Sequence, residues 1–174
     1  MKPRILAIIG STRPNSSNQK IVEKIEKLLH HNFTITYFNG LTSLPYFSPD
    51  QAFENTPEKV IAFREEIKYA DIVLICTPEY IFSIPGVLKN ALEWLVATDI
   101  FYQKPSVLIT ASASGEKGQE ELHLIMKTLG AKFSEESTLL IPGVKGRFNT
   151  DGQLTDPDTI EALQKLSENI KNLL

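Results

Sequence analysis

Short, almost unbroken apolar runs alternate along this chain with longer stretches in which apolar residues recur at helical spacing. The run Arg4 to Ile9 predicts a first strand. Asn15 to His30 places Ile21, Val22, Ile25, Leu28 and Leu29 on one stripe and predicts a helix. Phe33 to Phe38 alternates as a second strand. Gly40 to Thr56 is polar and aromatic with prolines, and reads as an excursion whose Leu44-Pro45-Tyr46-Phe47 is expected over a site or a partner. Pro57 to Tyr69 predicts a helix with proline in its first turn. Asp71 to Thr77 is nearly all apolar, the mark of a strand buried on both faces. A helix is predicted from Pro85 or Gly86 to Ala97, and a strand from Val107 to Ala111. The loop Ser112 to Gly118 leads to a helix ending at Gly130, a natural C-cap. Phe133 to Ile141 predicts the fifth strand, and a last helix runs from Pro157, capped by Asp156, to the C-terminus.

This rhythm implies an α/β chain with an open parallel sheet and right-handed crossovers. The whole chain, 1–174, is expected as one domain. Ligands of such sheets sit at the carboxyl ends of the strands. Three loops end there: Gly10–Asn18, Thr77–Pro85 and Ala111–Gly118. They are distant in sequence and are expected to meet at one crevice.

The first loop reads Gly-Ser-Thr-Arg-Pro-Asn-Ser-Ser-Asn between a buried strand and a helix. Free N–H groups at a helix N-terminus and the helix dipole favour an anion there. Ser11, Ser16 and Ser17 add hydroxyl donors, and Arg13 adds a charge-assisted contact. The loop lacks the Gly-Lys-Ser/Thr of a Walker motif and the spaced glycines of a dinucleotide fingerprint. Binding through side-chain hydroxyls suits the single phosphate of FMN on a flavodoxin-like fold. An ordinary capped turn needs only one such residue, Ser16 or Asn15.

Composition removes several alternatives. The formal charge of −3 and the lack of a Lys/Arg cluster argue against nucleic acid. No apolar run approaches the roughly 20 residues of a membrane span, and no cleavage site follows the N-terminal apolar run. A single cysteine excludes an internal disulfide and fits a reducing cytoplasm. Cys76 has Phe82, not arginine, six residues on, so it reads as a buried core thiol rather than a phosphatase nucleophile. Three histidines give no metal set. Glu120-Glu121 and Glu135-Glu136 read as solvated faces.

In the second loop, Pro78-Glu79-Tyr80 turns the chain after Cys76-Thr77 and offers an aromatic and backbone donors to a flat ring. Phe82 reads as core or interface, and Trp94 as core or dimer face. Gly10-Ser11-x-Arg13-x-x-Ser16-x-Asn18, Pro78-Glu79-Tyr80 and Leu88-Lys89-Asn90-Ala91-Leu92-Glu93-Trp94 resemble the NADPH-dependent FMN reductase family, which includes chromate, quinone and azo reductases. Phe148-x-x-Asp151-Gly152-x-Leu154-Thr155-Asp156 is similar to the segment before that family's last helix. The resemblance covers essentially the whole chain.

It implies a flavodoxin-like three-layer sandwich with strand order 2-1-3-4-5. It implies that Ser11, Arg13, Ser16 and Asn18, with Ser17 beside them, surround the FMN phosphate, and that Pro78, Glu79 and Tyr80 line the isoalloxazine. Ser83 is placed toward the flavin or its ribityl chain, and Ser112, Ser114 and Gly115 toward the pyrimidine side. Chemistry is carried by the flavin: NADPH or NADH gives a hydride, and a small-molecule acceptor of the quinone, azo, metal-oxyanion or free-flavin kind receives it. No side chain need act as nucleophile. A homodimer or homotetramer is expected, with Leu88–Trp94 and Leu44–Phe47 as its apolar surface. Two departures stand out. Many members have asparagine where this chain has Ile81, and many carry Arg-Ala-Gln near Gly118-Gln119-Glu120-Glu121. The second makes the cofactor mouth more acidic and weakens the case for NADPH over NADH. An FMN-binding electron carrier without NAD(P)H turnover, and a non-catalytic flavodoxin-like binding domain, remain open on the residues alone.

Overall fold

The computed structural model describes residues 2–174. Strands β1 (Arg4–Ile9), β2 (Thr34–Phe38), β3 (Ile72–Thr77), β4 (Ser106–Ala111) and β5 (Thr138–Ile141) form one parallel sheet of five strands among the described residues. Its order is β2-β1-β3-β4-β5, as expected for a flavodoxin-like architecture. Helices α1 (Ser17–Leu29) and α6 (Pro157–Lys171) cover one face. Helices α3 (Glu58–Lys68), α4 (Gly86–Glu93) and α5 (Glu116–Thr128) cover the other, and short α2 (Pro49–Phe53) lies in the excursion.

Strand alternation explains the two cores. Leu6, Ile8, Val73, Ile75 and Leu108 pack with Phe63, Leu88, Leu122 and Met126. Ile5, Ala7, Leu74, Val107 and Ile109 pack with Ile21, Val22, Ile25, Leu163 and Ile170. Every side chain of β3 and β4 is buried, so both strands read as continuous apolar runs.

Three expected boundaries move. α5 begins at Glu116, so Gly118 lies inside the helix rather than in a loop. The fifth strand is only Thr138–Ile141, because Ser134 and Ser137 form a reciprocal cap that coils the preceding residues into a short 3₁₀ turn. α4 stops at Glu93 and Trp94 caps it.

Part of the apolar surface expected for oligomer contacts packs inside the chain. Leu44, Leu88, Leu92 and Trp94 are all buried. Trp94 Nε1 donates to Pro45 O at 2.9 Å, Phe47 N donates to Asn90 Oδ1 at 2.8 Å, and the Phe47 and Trp94 rings meet edge to face at 5.4 Å. Arg64 Nη2 donates to Trp94 O at 2.6 Å and Ala52 O at 3.0 Å, which satisfies carbonyls at the end of α4 and in the excursion. The excursion is therefore strapped to α4, and Tyr46 alone of its aromatic stretch points fully outward.

Gly10 closes β1 where the site begins. Its N–H donates to Cys76 O at 2.9 Å, and a Cβ there would collide with the Thr77 side chain and lie 3.1 Å from Leu88 Cδ2. Gly10→Ala should destabilise the fold by about 1–3 kcal/mol through overpacking, read as a lower midpoint in urea unfolding at constant slope.

Candidate functional site

The carboxyl edge of the sheet opens into a crevice of about 550 Å³, within the ordinary range for small-ligand sites. It is lined by Ser11, Arg13, Ser16, Ser17 and Asn18 after β1, by Pro78–Tyr80 after β3, by Ala111–Ala113 at the end of β4, and by Gly143–Gly146 after β5. The three loops expected at one crevice do meet there. Nine of the residues singled out from the sequence line it: Ser11, Arg13, Ser16, Ser17, Asn18, Pro78, Glu79, Tyr80 and Ser112.

The first loop is shaped by its own side chains. Ser16 is the N-cap of α1, accepting from Gln19 N at 3.1 Å. Asn15 has φ of 53°, a conformation its short amide tolerates, and its N–H donates to Gln19 Oε1 at 3.2 Å. Ser11 Oγ accepts from Arg13 N at 3.4 Å. The Ser17 and Asn18 N–H groups belong to the first turn of α1, which has no acceptor within the helix. Arg13 is exposed, and its guanidinium makes no ion pair among the described residues. A helix N-terminus with an uncommitted cation beside it has the donor set of a phosphate site.

Asn18 has a different task. Its side chain is 4 % exposed; Nδ2 donates to Ala111 O at 3.2 Å, and Oδ1 accepts from the Cys76 thiol at 3.3 Å. Both ends of the amide are used to tie α1 to the ends of β4 and β3. Burial pushes the Cys76 thiol well above its ordinary pKa, as expected for a core thiol.

Glu79 faces the crevice wall with its carboxylate turned away from it. Oε2 accepts from Gly118 N at 2.8 Å, which caps the first turn of α5 and suits the helix dipole. A Cβ on Gly118 would lie 3.1 Å from Glu79 Cβ, so the glycine lets the loop close on the helix. Ser112 Oγ donates to Glu79 O at 3.3 Å and joins the second and third loops.

Tyr80 to Ser83 form a tight turn, with Tyr80 N donating to Ser83 O at 2.8 Å and Ser83 N to Tyr80 O at 3.1 Å. The Tyr80 N–H is thus committed and is not a free donor for a ligand. The two central residues, Ile81 and Phe82, both have positive φ, 52° and 58°. Asn-Gly is the usual pair in such a turn; a β-branched residue there is strained by about 1–2 kcal/mol. Phe82 is exposed and so is not core.

The structure leaves three expected residues off the lining. Ser83 turns to Glu121 Oε2. Ser114 is exposed beyond the wall. Gly115 is the N-cap of α5 at φ 95°, where a Cβ would meet Leu140 Cδ1 at 2.8 Å. Gly143–Gly146 is the segment the sequence reading passed over. Gly143 N donates to Ala113 O and Val144 N to Ser112 O, each at 3.0 Å, and Lys145 brings a second cation to the crevice. The carboxyl-end rule applied to β5 would have found it.

A second hollow of about 480 Å³ lies across the first loop, sharing Ser11 and Arg13 but walled by Glu23, Glu26 and Tyr37. Glu26 is bonded to the Tyr37 hydroxyl at 2.6 Å, and burial together with that contact pushes the phenol well above its ordinary pKa. Two carboxylates make it a poor seat for a phosphate; the crevice with Arg13 and Lys145 is the better one.

The family model described as NADPH-dependent FMN reductase matches residues 3–146 and so spans every residue of the crevice lining. The chain is 29% identical over 170 residues to a 2-hydroxy-1,4-benzoquinone reductase of Burkholderia sp, covering 94% of this chain and 92% of that protein. It is 28% identical over 169 residues to a quinone reductase of Escherichia coli strain K12, covering 93% and 90%. The solved structure of FerB, a flavoenzyme NAD(P)H:(acceptor) oxidoreductase from Paracoccus denitrificans, has the same fold, with a TM-score of 0.76 at 22% identity over 98% of this chain and 96% of that one.

Asn18→Ala should cost about 1–3 kcal/mol in urea unfolding, because it strips the buried Ala111 carbonyl and the Cys76 thiol of a shared partner.

Proposed function

The chain belongs to the NADPH-dependent FMN reductase family, and from that premise we propose how this molecule works as an FMN-dependent NAD(P)H oxidoreductase. FMN, when bound, would supply the redox chemistry between reduced nicotinamide and the acceptor. The single observation that carries the site assignment is the crevice itself: a helix N-terminus with hydroxyls and a free arginine lines the same hollow as an aromatic on a fixed turn. That set fits a phosphate and a flat ring.

In this reading Ser11, Ser16, Ser17 and the first N–H groups of α1 bind the phosphate, with Arg13 and Lys145 neutralising it. Pro78 and Tyr80 face the ring, and Ser112 and Ala113 close its far side. Glu79 acts by holding the loop against α5. Asn18 acts by keeping three elements in register beneath the ligand. Ser83, Ser114 and Gly115 support loop shape rather than contact.

The acceptors are quinone-like in the first place, with azo, metal-oxyanion and free-flavin acceptors in the same class; relatives named quinone reductases support this. The nicotinamide and the acceptor use one place in turn. The chain works as one domain and as a homodimer or homotetramer in the cytoplasm. An apolar hollow of about 320 Å³ between α4 and α5, with Val96 and Leu124 exposed at it, supports association. The single, buried cysteine supports a reducing compartment, and no helix among the described residues is long and apolar enough to cross a membrane.

Steady NAD(P)H consumption by the FMN-loaded protein with a quinone tests the activity, and a flavoprotein that binds FMN without such turnover is the carrier instead. Initial rates against NAD(P)H at several quinone concentrations should give parallel lines; intersecting lines would exclude a shared place. Arg13→Ala should weaken FMN binding tenfold or more in titration of the apo-protein, since a charge-assisted hydrogen bond contributes roughly 1.5–3 kcal/mol.

A further inference from the structure

We propose that the Tyr80–Ser83 turn is a specificity lip, on which Ile81 and Phe82 hold the apolar substituent of a flat electron acceptor while its reacting ring lies in the crevice beside Tyr80. The inference rests on the FMN-reductase reading above and adds a determinant of acceptor choice.

Position comes first. Tyr80 lines the crevice, and two backbone hydrogen bonds to Ser83 fix the next two residues at its rim. The turn cannot drift. Ser83 Oγ is held by Glu121, and the preceding Glu79 by Gly118 N, so both ends are fastened to the first half of α5.

Chemistry comes second. Ile81 is 95 % exposed and Phe82 73 % exposed, and both occupy the left-handed region that Asn and Gly favour. A chain that needed only a turn would carry a polar pair, gaining both backbone ease and solubility. Here a β-branched and an aromatic side chain are displayed instead. The crevice carries hydroxyls and Arg13 on the loop after β1 and an apolar lining of Pro78, Ala111, Ala113 and Val144, and Ile81 and Phe82 continue that apolar surface outward from Tyr80. A substituent emerging past Tyr80 would meet these two exposed side chains.

The test compares kcat/KM for a long-chain alkyl benzoquinone with that for ferricyanide, an acceptor without an apolar substituent, in the FMN-loaded full chain. Ile81→Asn and Ile81→Asn/Phe82→Gly keep the turn's backbone while removing the lip. The ratio should fall by about tenfold in the double variant, within the range that apolar contacts confer, and by less in the single one, with the loss carried by KM for the quinone. Ile81→Val should restore most of the ratio. Ile81→Asn should also raise Tm by a few degrees, because strain is relieved, which shows that the loss is not misfolding. An unchanged ratio in a folded, FMN-loaded double variant overturns the proposal. So does a fall in the ratio that follows only from dissociation of an oligomer in light scattering, which would make the turn a subunit contact. Wild-type protein that binds FMN but turns over no NAD(P)H overturns the parent reading, and this one with it.

Discussion

The structure depends on one constraint: β3 and β4 are covered on both faces, so their polar backbone is satisfied only by neighbouring strands and by what closes their ends. At the carboxyl end that closure is done by α1. The Asn18 amide donates to the last carbonyl of β4 and accepts from the thiol of β3, and Gly10 N adds a bond to the Cys76 carbonyl. The same helix end that seals the core leaves its first N–H groups facing outward. Core closure and a donor set suited to an anion are thus two consequences of where one helix starts.

Much of this was legible in the chain. Two-faced burial erases polar alternation, so β3 and β4 announced themselves as apolar runs. A loop of hydroxyls between strand and helix stated its chemistry in residue types. What escaped had physical reasons. Gly143–Gly146 contributes mainly backbone, after an edge strand with half-buried side chains, and Lys145 in isolation resembles any solvent-facing lysine. The partner of Glu79 lies 39 residues away, and no local pattern encodes a carboxylate capping a distant helix. The aromatic content around Leu44–Phe47 and Leu88–Trp94 read as excess surface because their mutual packing is a tertiary fact. Short β5 was overextended since Ser134 and Ser137 prefer each other to a ladder.

Electrostatically the molecule separates bulk from site. The chain carries a net charge of −3, yet the crevice wall brings Arg13 and Lys145 together with a helix N-terminus. The one carboxylate in that wall, Glu79, is turned onto Gly118 N and so does not oppose them. A weakly acidic surface with a small cationic focus attracts an anion to one place without making the whole protein sticky for polyanions.

The position of the only sulfhydryl has a consequence for durability. Quinones are electrophiles as well as oxidants, and a thiolate adds to their ring irreversibly. Cys76 sits in the wall of the core directly behind the ligand crevice, wholly out of solvent, and burial keeps it protonated. For the quinone-like acceptors proposed above, this placement keeps the chain's one thiol out of reach of arylation.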